Sequence, residues 1–234
     1  MITKASNDLT HNDYTSGEVI LIDKEKGKTS FNAVHRIRKI VNVKKVGHAG
    51  TLDPAATGLL IVCVGKKTKE IYKYQDLEKV YTGIIELGKK TPSMDSETEA
   101  ISEKSFAVVT NEMIEVVRSS FVGEIQQIPP MYSALKHKGR ALYKYARAGV
   151  EVKREPRNVT IYEFEILKAD LPEIEFKIRC SKGTYIRVIA DDFGEKLGCG
   201  GYLRKLRREA IGEYKVEEAL TVDEFGKKNN FIAN

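Results

Sequence analysis

The sequence is poor in residues that form covalent cross-links and metal sites. Its three cysteines are an odd number without a C-x-x-C pair, and each lies among apolar or glycine residues. Such cysteines indicate a reducing, intracellular compartment. Its four histidines are scattered without the spacing of zinc ligands, so we expect no metal site. The cysteines are Cys63, Cys180 and Cys199, and the histidines are His11, His35, His48 and His137.

Long hydrophobic runs are also missing. No apolar stretch approaches the roughly 20 residues that a membrane-spanning helix needs, and the polar start does not resemble a signal peptide. We therefore expect a cytoplasmic protein. A phosphate-binding loop is excluded at Gly27-Lys28-Thr29, because position 22, where that motif requires glycine, is Ile22.

Positive charge is present in excess and is concentrated in one segment. The 234 residues carry a formal net charge of +6 and have a pI near 9.0, which favours polyanionic partners. Residues 136–157 contain eight lysines and arginines and only two glutamates, and Tyr143 and Tyr145 lie among them. Basic residues with interleaved aromatics are what RNA backbone contact and base stacking require. A charge run can equally be a solvated face, so the pattern alone leaves both interpretations open.

Local patterns predict a chain that mixes helices and strands. Short apolar runs and alternation predict strands, and apolar residues three and four apart predict helices. We expect the strand after Cys180 to carry Tyr185 and Arg187 on one face, because positions two apart on a strand point the same way. Predicted strands cover residues 18–24, 79–87, 158–167 and 174–180; predicted helices follow a cap at Ser30 and cover residues 68–75, 111–121, 189–198 and the stretch from residue 220.

One carboxylate stands between chain-bending residues. Asp53 follows Gly47 and Gly50, directly precedes Pro54, and leads into an apolar run at residues 59–64. Because a residue before proline is pushed towards an extended conformation, we predict Asp53 on an irregular loop that feeds a buried segment. Loops on rigid scaffolds often carry catalytic groups, whereas most Asp-Pro pairs only start turns. The residues alone allow either role.

Five blocks of sequence together point to a known family. The first, at residues 47–60, reads GHAGTLDPAATGLL. In their order and spacing the blocks resemble the TruB family of tRNA pseudouridine synthases, over residues 19 to 225. One departure is Glu25, which stands where the family's D-K-P-x-G-x-T-S opening has proline. The other blocks are KVY at residues 79–81 with LGKKT at 87–91 and Asp95, QIPPMYSA at 127–134 with Lys136, ARAG at 146–149, and CSKGTYIR at 180–187.

The resemblance implies a fold and a domain plan. We expect an α+β pseudouridine synthase fold with a mixed, largely antiparallel central sheet flanked by helices. Residues 18–234 would form the catalytic domain, with a basic RNA-binding insertion at about residues 129–157. For residues 1–17 the composition, rich in Asn, Asp, Thr and Ser, predicts a flexible leader. Because few residues follow position 225, we expect no C-terminal RNA-binding PUA domain. We expect a monomer.

The resemblance also implies a reaction. Members convert uridine 55 in the T-loop of tRNA to pseudouridine, an isomerisation without net redox change or hydrolysis, so no cofactor and no metal are expected. The target base must leave the folded loop to react. A carboxylate meets the flipped nucleotide, and a cation would hold that carboxylate ionised.

The family pattern assigns roles to individual residues. Asp53 is the catalytic carboxylate, Arg187 its counter-ion, and Tyr81 the aromatic residue on the base or sugar. Substrate contacts are assigned to His48, Tyr185, Lys24, Lys182, Lys136 and Arg147.

Two other functions fit parts of the sequence. In a purely RNA-binding or RNA-folding protein, Asp53 would be only a turn residue. In a guide-dependent synthase of the dyskerin type, the same motif would work inside a ribonucleoprotein. Whether Asp53 attacks C1′ of the ribose or C6 of the uracil is likewise left open by the sequence.

Overall fold

The computed structural model describes residues 1–231. Its strands are β1 (Glu18–Lys24), β2 (Val46–His48), β3 (Thr57–Val64), β4 (Lys79–Leu87), β5 (Lys89–Lys90), β6 (Ser102–Glu103), β7 (Gly123–Gln127), β8 (Lys136–His137), β9 (Arg140–Ala141), β10 (Arg157–Asp170), β11 (Glu173–Cys180), β12 (Gly201–Ile211) and β13 (Tyr214–Lys215). Its helices are α1 (Ser30–Val41), α2 (Ile71–Gln75), α3 (Asn111–Ser119), α4 (Leu142–Ala146), α5 (Ile186–Lys196) and α6 (Val222–Lys228), with 3-10 helices at Gly65–Glu70 and Val216–Glu218. Within the described residues, no helix has the length and apolar character of a membrane span.

The chain divides into two compact units, one made of residues 1–82 with the residues from 206 on, and the other of Gly83–Lys205. In the first unit, β3 pairs antiparallel with β1 and parallel with β12. In the second, the strand order is β12-β4-β11-β10-β7, with β10 antiparallel to both β11 and β7. Strands β4 and β12 each contribute residues to both units. The predicted α+β class with a mixed, largely antiparallel sheet is confirmed.

The core of the first unit lies on both faces of β1 and β3. Alternate residues of these strands point to opposite faces, and both sets are buried. This explains why β3 is an unbroken apolar run instead of an alternating pattern. One face is covered by α1 and α6, and the other by the segment after β12. Strand β3 is therefore a rigid base for the loop that precedes it.

The first 17 residues belong to this core, so the prediction of a flexible leader is wrong. Ile2 forms a parallel bridge with Ile20, and Ile2, Leu9 and Tyr14 are buried. The Tyr14 hydroxyl also donates to Asn229 Oδ1 at 2.7 Å. These three apolar residues are widely spaced in an otherwise polar segment, and each packs into the core on one face of the sheet.

Helix α1 begins at the predicted position but with a different cap. Thr29, not Ser30, accepts the N-cap hydrogen bond from Asn32 N, and the Asn32 side chain accepts from Thr29 N in return. This reciprocal arrangement satisfies two backbone donors that a helix start leaves unpaired. Ser30 becomes the first helical residue, and its hydroxyl is left for another partner.

The second unit contradicts the predicted strand at residues 185–188. Strand β11 ends at Cys180, Gly183 turns the chain with φ +79°, and helix α5 starts at Ile186. The apolar residues 186, 189, 190 and 193 follow helical spacing and are buried. Tyr185 therefore lies just before the helix and Arg187 in its first turn, so they do not share a strand face.

The basic segment is an insertion between two paired strands. Strands β7 and β10 are antiparallel neighbours, and their pairing begins at Gln127 opposite Arg157. The chain between them leaves the sheet to form the β8–β9 hairpin and α4. Within this segment Leu142 and Val152 are buried. We call residues 128–156 the arm.

Close packing at Gly194 yields a test of the fold. A Cβ at Gly194 in α5 would lie 2.1 Å from the backbone of Gly200 and Gly201. We expect Gly194→Ala to lower the free energy of unfolding by about 3 kcal/mol, because backbone must move to admit the methyl group. The matched control is Gly226→Ala in α6, where the added Cβ meets its nearest neighbour at 3.6 Å. The control should be neutral or slightly stabilising. Equal urea midpoints for the two variants would contradict this packing.

Candidate active site

Asp53 lies on the irregular loop between β2 and β3 and is half-buried. The Ser30 hydroxyl accepts from Leu52 N at 2.9 Å and donates to Leu52 O at 3.0 Å. Gly27 N donates to Pro54 O at 2.8 Å. Both chain neighbours of Asp53 are thus fixed by hydrogen bonds to the start of α1 and the turn before it. The loop prediction is confirmed, and the loop is anchored.

His48 ends β2, five positions before Asp53. Its Nδ1 is buried and has no hydrogen-bond partner among the described residues. Burial lowers the pKa of His48 below its ordinary value, the positive charge of Arg208 lowers it further, and a backbone hydrogen bond at Gly50 opposes both. The imidazole is therefore neutral near pH 7, which suits packing against a nucleobase better than a phosphate contact.

In the second unit, Arg187 forms a buried ion pair with Asp95. Its Nη1 donates to Asp95 Oδ2 at 3.2 Å, and the two side chains are 5% and 6% exposed. Asp95 Oδ1 accepts from Ser93 Oγ at 2.6 Å and from Glu97 N at 3.0 Å. Because the carboxylate is held by its own loop, it fixes the direction of the guanidinium.

Tyr185 is held beside Arg187 by a side-chain amide. Gln127 Oε1 accepts from Tyr185 N at 3.0 Å, and Gln127 Nε2 donates to Tyr185 O at 3.3 Å. The Arg187 guanidinium carbon lies 5.9 Å from the centre of the Tyr185 ring, within range of a cation–π contact. The two residues therefore form one ordered group at the start of α5.

The remaining predicted residues lie in contrasting environments. Tyr81 is on β4 and only 8% exposed, whereas Lys182, Lys136 and Arg147 are exposed. Lys24 is 1% exposed and donates to Glu25 O at 2.9 Å and to Lys28 O at 2.7 Å. Its ammonium therefore braces its own turn, and its assignment as a substrate contact stays a prediction.

Sequence reasoning missed several residues that position the site. Asp95 was part of a recognised block, but nothing local marked it as the partner of Arg187. Gln127 and Ser30 act through backbone hydrogen bonds, which leave no signal in composition. The three cysteines are buried free thiols, and residues 1–231 contain no group of side chains suited to a metal ion.

The buried ion pair between Arg187 and Asp95 can be tested by its effect on stability. Asp95→Asn keeps the shape but removes the negative charge, leaving a buried guanidinium undercompensated. We expect a loss of about 3 kcal/mol in unfolding free energy. Glu163→Gln breaks the exposed pair with Arg179 and should cost less than about 1 kcal/mol. Chemical denaturation of both variants checks this, and similar losses would show that burial does not decide the cost.

Comparison with known proteins shows which protein family the chain resembles. The family model described as the TruB family pseudouridylate synthase N-terminal domain matches residues 38–186, and that of the tRNA pseudouridylate synthase B C-terminal domain matches residues 187–234. A protein named tRNA pseudouridine synthase B from Desulfotalea psychrophila is 48% identical over 89% of this chain and 87% of its own length. The same-named protein from Flavobacterium johnsoniae is 45% identical over 93% of this chain and 98% of its own.

Among solved structures, a chain of a Cbf5-Nop10-Gar1 complex superposes with a TM-score of 0.70 at 28% identity. It covers 97% of this chain, which in turn spans 62% of that longer one. The predicted pseudouridine synthase fold is thereby confirmed. Because the two family models together match residues 38–234, the chain belongs to the TruB family of pseudouridylate synthases.

Proposed function

We propose that the protein converts uridine 55 in the T-loop of tRNA to pseudouridine, acting as a monomer in the cytoplasm. The tRNA substrate is supported by the names of the relatives, which are 45–48% identical over most of the chain. The position within the tRNA is supported by the resemblance of the block at residues 47–60. The anchored carboxylate of Asp53 is the observation that carries the chemistry.

The reaction exchanges one bond for another. The N1–C1′ glycosidic bond of the uridine breaks, the uracil rotates, and a C5–C1′ bond forms. The proton on C5 leaves, and N1 gains one, so composition and oxidation state are unchanged. While the base is detached, electron deficiency develops at the reacting carbon. A negative charge held in a fixed position stabilises that electron deficiency.

Asp53 would supply that charge. A loop whose two neighbouring peptide groups are already hydrogen-bonded does not have to reorganise during the reaction, which is the basis of electrostatic preorganisation. The side chain is half-buried, so its charge is screened less than a surface charge. These features favour a catalytic carboxylate over a simple turn residue.

The other residues would bind and orient the nucleotide. Tyr81 and Tyr185 present aromatic rings for stacking on the flipped base or its sugar, and neutral His48 offers a further flat surface. Lys182 is an exposed cation for a phosphate. That Arg187 is the counter-ion of Asp53 stays a prediction from the family pattern; its ion pair with Asp95 supports an ordered guanidinium.

The arm would bind the tRNA stem through charge and stacking. The arm contains seven lysines and arginines. Among the described residues, only Lys153 and Arg154 of these form ion pairs with carboxylates. Arg140 lies over the Tyr145 ring at 4.9 Å and Arg147 over the Tyr143 ring at 5.5 Å. Uncompensated cations attract a polyanion, and the rings hold two of the guanidinium groups in fixed positions.

A guide-dependent synthase is the second candidate, because solved relatives include a chain from an H/ACA RNP bound to a substrate RNA, at 25% identity and a TM-score of 0.68. The higher identities of the tRNA pseudouridine synthase B relatives favour the stand-alone enzyme. Activity of the purified chain alone, without guide RNA or protein partners, distinguishes the two.

The first functional test removes the carboxylate. Purified protein should convert uridine 55 of an unmodified tRNA transcript, as mapped by chemical labelling of pseudouridine. Asp53→Asn should lower the single-turnover rate constant by at least about 10⁴-fold, as expected when an essential catalytic group is lost. Asp8→Asn, at a fully exposed carboxylate, is the matched control and should leave the rate unchanged. Pseudouridine formation by folded Asp53→Asn at the normal rate would overturn the assignment.

The second functional test addresses the arm. Lys136 and Arg147 are exposed and have no ion pair within the described part of the chain. The double variant Lys136→Ala/Arg147→Ala should bind tRNA more weakly and lower the slope of log affinity against log salt by about 2. Its rate at saturating tRNA should change little.

The matched control is Lys168→Ala/Arg179→Ala, because Asp170 and Glu163 already compensate these cations. Affinity by filter binding at several salt concentrations gives both slopes. If the control and the arm variant lose the same slope, the arm has no special role in binding.

A further inference from the structure

Arg208 is a buried cation that touches both ends of the Asp53 loop. Its side chain is on β12 and is 1% exposed. Nε donates to Leu59 O at 2.7 Å, and Nη2 donates to Gly50 O at 3.2 Å. Gly50 lies three residues before Asp53 and Leu59 six residues after it. Among the described residues no carboxylate forms an ion pair with Arg208. The hydrogen bonds of its side chain go to backbone carbonyls of the loop and of the start of β3.

The main chain of Arg208 also fixes the loop. Strand β12 runs parallel to β3, with Arg208 opposite Gly58. A Cβ at Gly58 would lie 2.3 Å from Arg208 O, and Gly58 has φ +104°. Only glycine allows the two backbones to approach this closely. One residue thus holds the exit of the loop with its backbone and bridges entry and exit with its side chain.

We propose that Arg208 is a positioning residue for pseudouridine formation, whose guanidinium clamps the two ends of the Asp53 loop and so sets the direction of the carboxylate. The proposal rests on the catalytic role proposed for Asp53. Arg208 acts through the backbone of the loop, which distinguishes it from a substrate contact.

The clamp requires a guanidinium. Its nitrogens are arranged as a rigid planar fork that can donate in two directions at once, whereas a lysine ammonium is a point charge on a flexible stem. A purely packing role would need only volume. The charge has a second effect, because it adds to burial in lowering the pKa of His48. Geometry and charge can therefore be separated by two substitutions at the same position.

Arg208→Lys keeps the charge and removes the fork. We expect its single-turnover rate constant to fall between 10-fold and 100-fold, the order that a misplacement of about 1 Å produces, with tRNA affinity within twofold of the wild type. Hydrogen exchange should accelerate at the Ala56 amide, which donates to Asp53 O at 3.1 Å, while strand amides of β3 stay protected. The pKa of His48, followed by NMR, should remain lowered.

Arg208→Gln removes the charge and keeps a hydrogen-bonding side chain. It should show the same loss of rate and faster exchange, and in addition the pKa of His48 should rise. If Arg208→Lys fails to fold, Arg208→Gln still tests the clamp, because it leaves no unpaired charge buried. The control is Arg204→Lys on the same strand, which loses only a partly exposed ion pair with Glu173 and Glu86 and should leave all three measurements unchanged.

The outcomes separate the alternatives. A normal rate constant in a folded Arg208 variant, or a loss explained entirely by weaker tRNA binding, overturns the proposal. So does a uniform fall in exchange protection across β3, which would make Arg208 a general stability residue. If the wild-type protein forms no pseudouridine in tRNA, the proposed function fails, but the exchange at Ala56 still shows whether the clamp exists.

Discussion

The structure around Asp53 depends on one constraint: the backbone of a short irregular loop is hydrogen-bonded to the start of helix α1, to the turn before it and to strand β12. Strand β3 is buried on both faces, and Gly58 near its start packs directly against the backbone of β12. On the other side, the first turn of α1 holds Leu52 through a single hydroxyl. Irregular backbone is usually flexible. Here the peptide groups on both sides of Asp53 are hydrogen-bonded to their surroundings, so the backbone that carries the carboxylate is held in place.

In the second unit, the Arg187 guanidinium is held in place by a buried ion pair. Arg187 cannot be solvated in its buried position, and a buried charge is tolerated only when it is paired and hydrogen-bonded. Asp95 supplies the pairing, while Ser93 and Glu97 N hold Asp95 itself. Such an arrangement contributes little net stability compared with apolar packing, which has no desolvation cost. Among the buried residues of helix α5, Arg187 and Asp191 carry ionisable side chains, and the others are apolar or glycine.

The sequence predicts those parts of the fold and of the candidate site whose structure is determined by a local residue pattern. The β10–β11 hairpin follows from alternation and the loop at Asp53 from the proline after it. The arm was expected from the family resemblance, because its charge alone left a solvated face equally open. The errors arose where tertiary contacts decide. Residues 185–188 alternate as a strand would, but the burial of Ile189, Ala190 and Phe193 selects a helix. Ile2, Leu9 and Tyr14 are too far apart to form a pattern. Arg208 and Lys24 carry charges that composition assigns to the surface, because no local signal shows which carbonyls lie nearby.

These buried cations and the exposed ones of the arm perform separable tasks. Most charges on the arm, Arg154 excepted, are exposed. They act over about a Debye length and are weakened by salt, so they govern how readily a polyanion binds. Arg187 and Arg208 are almost fully buried, where salt has little effect and direction matters more than reach. Rearranging exposed charges can therefore change which RNA is bound, and how tightly, without disturbing the geometry on which the chemistry depends. A net charge of +6 thus conceals two populations of cations with different physical roles.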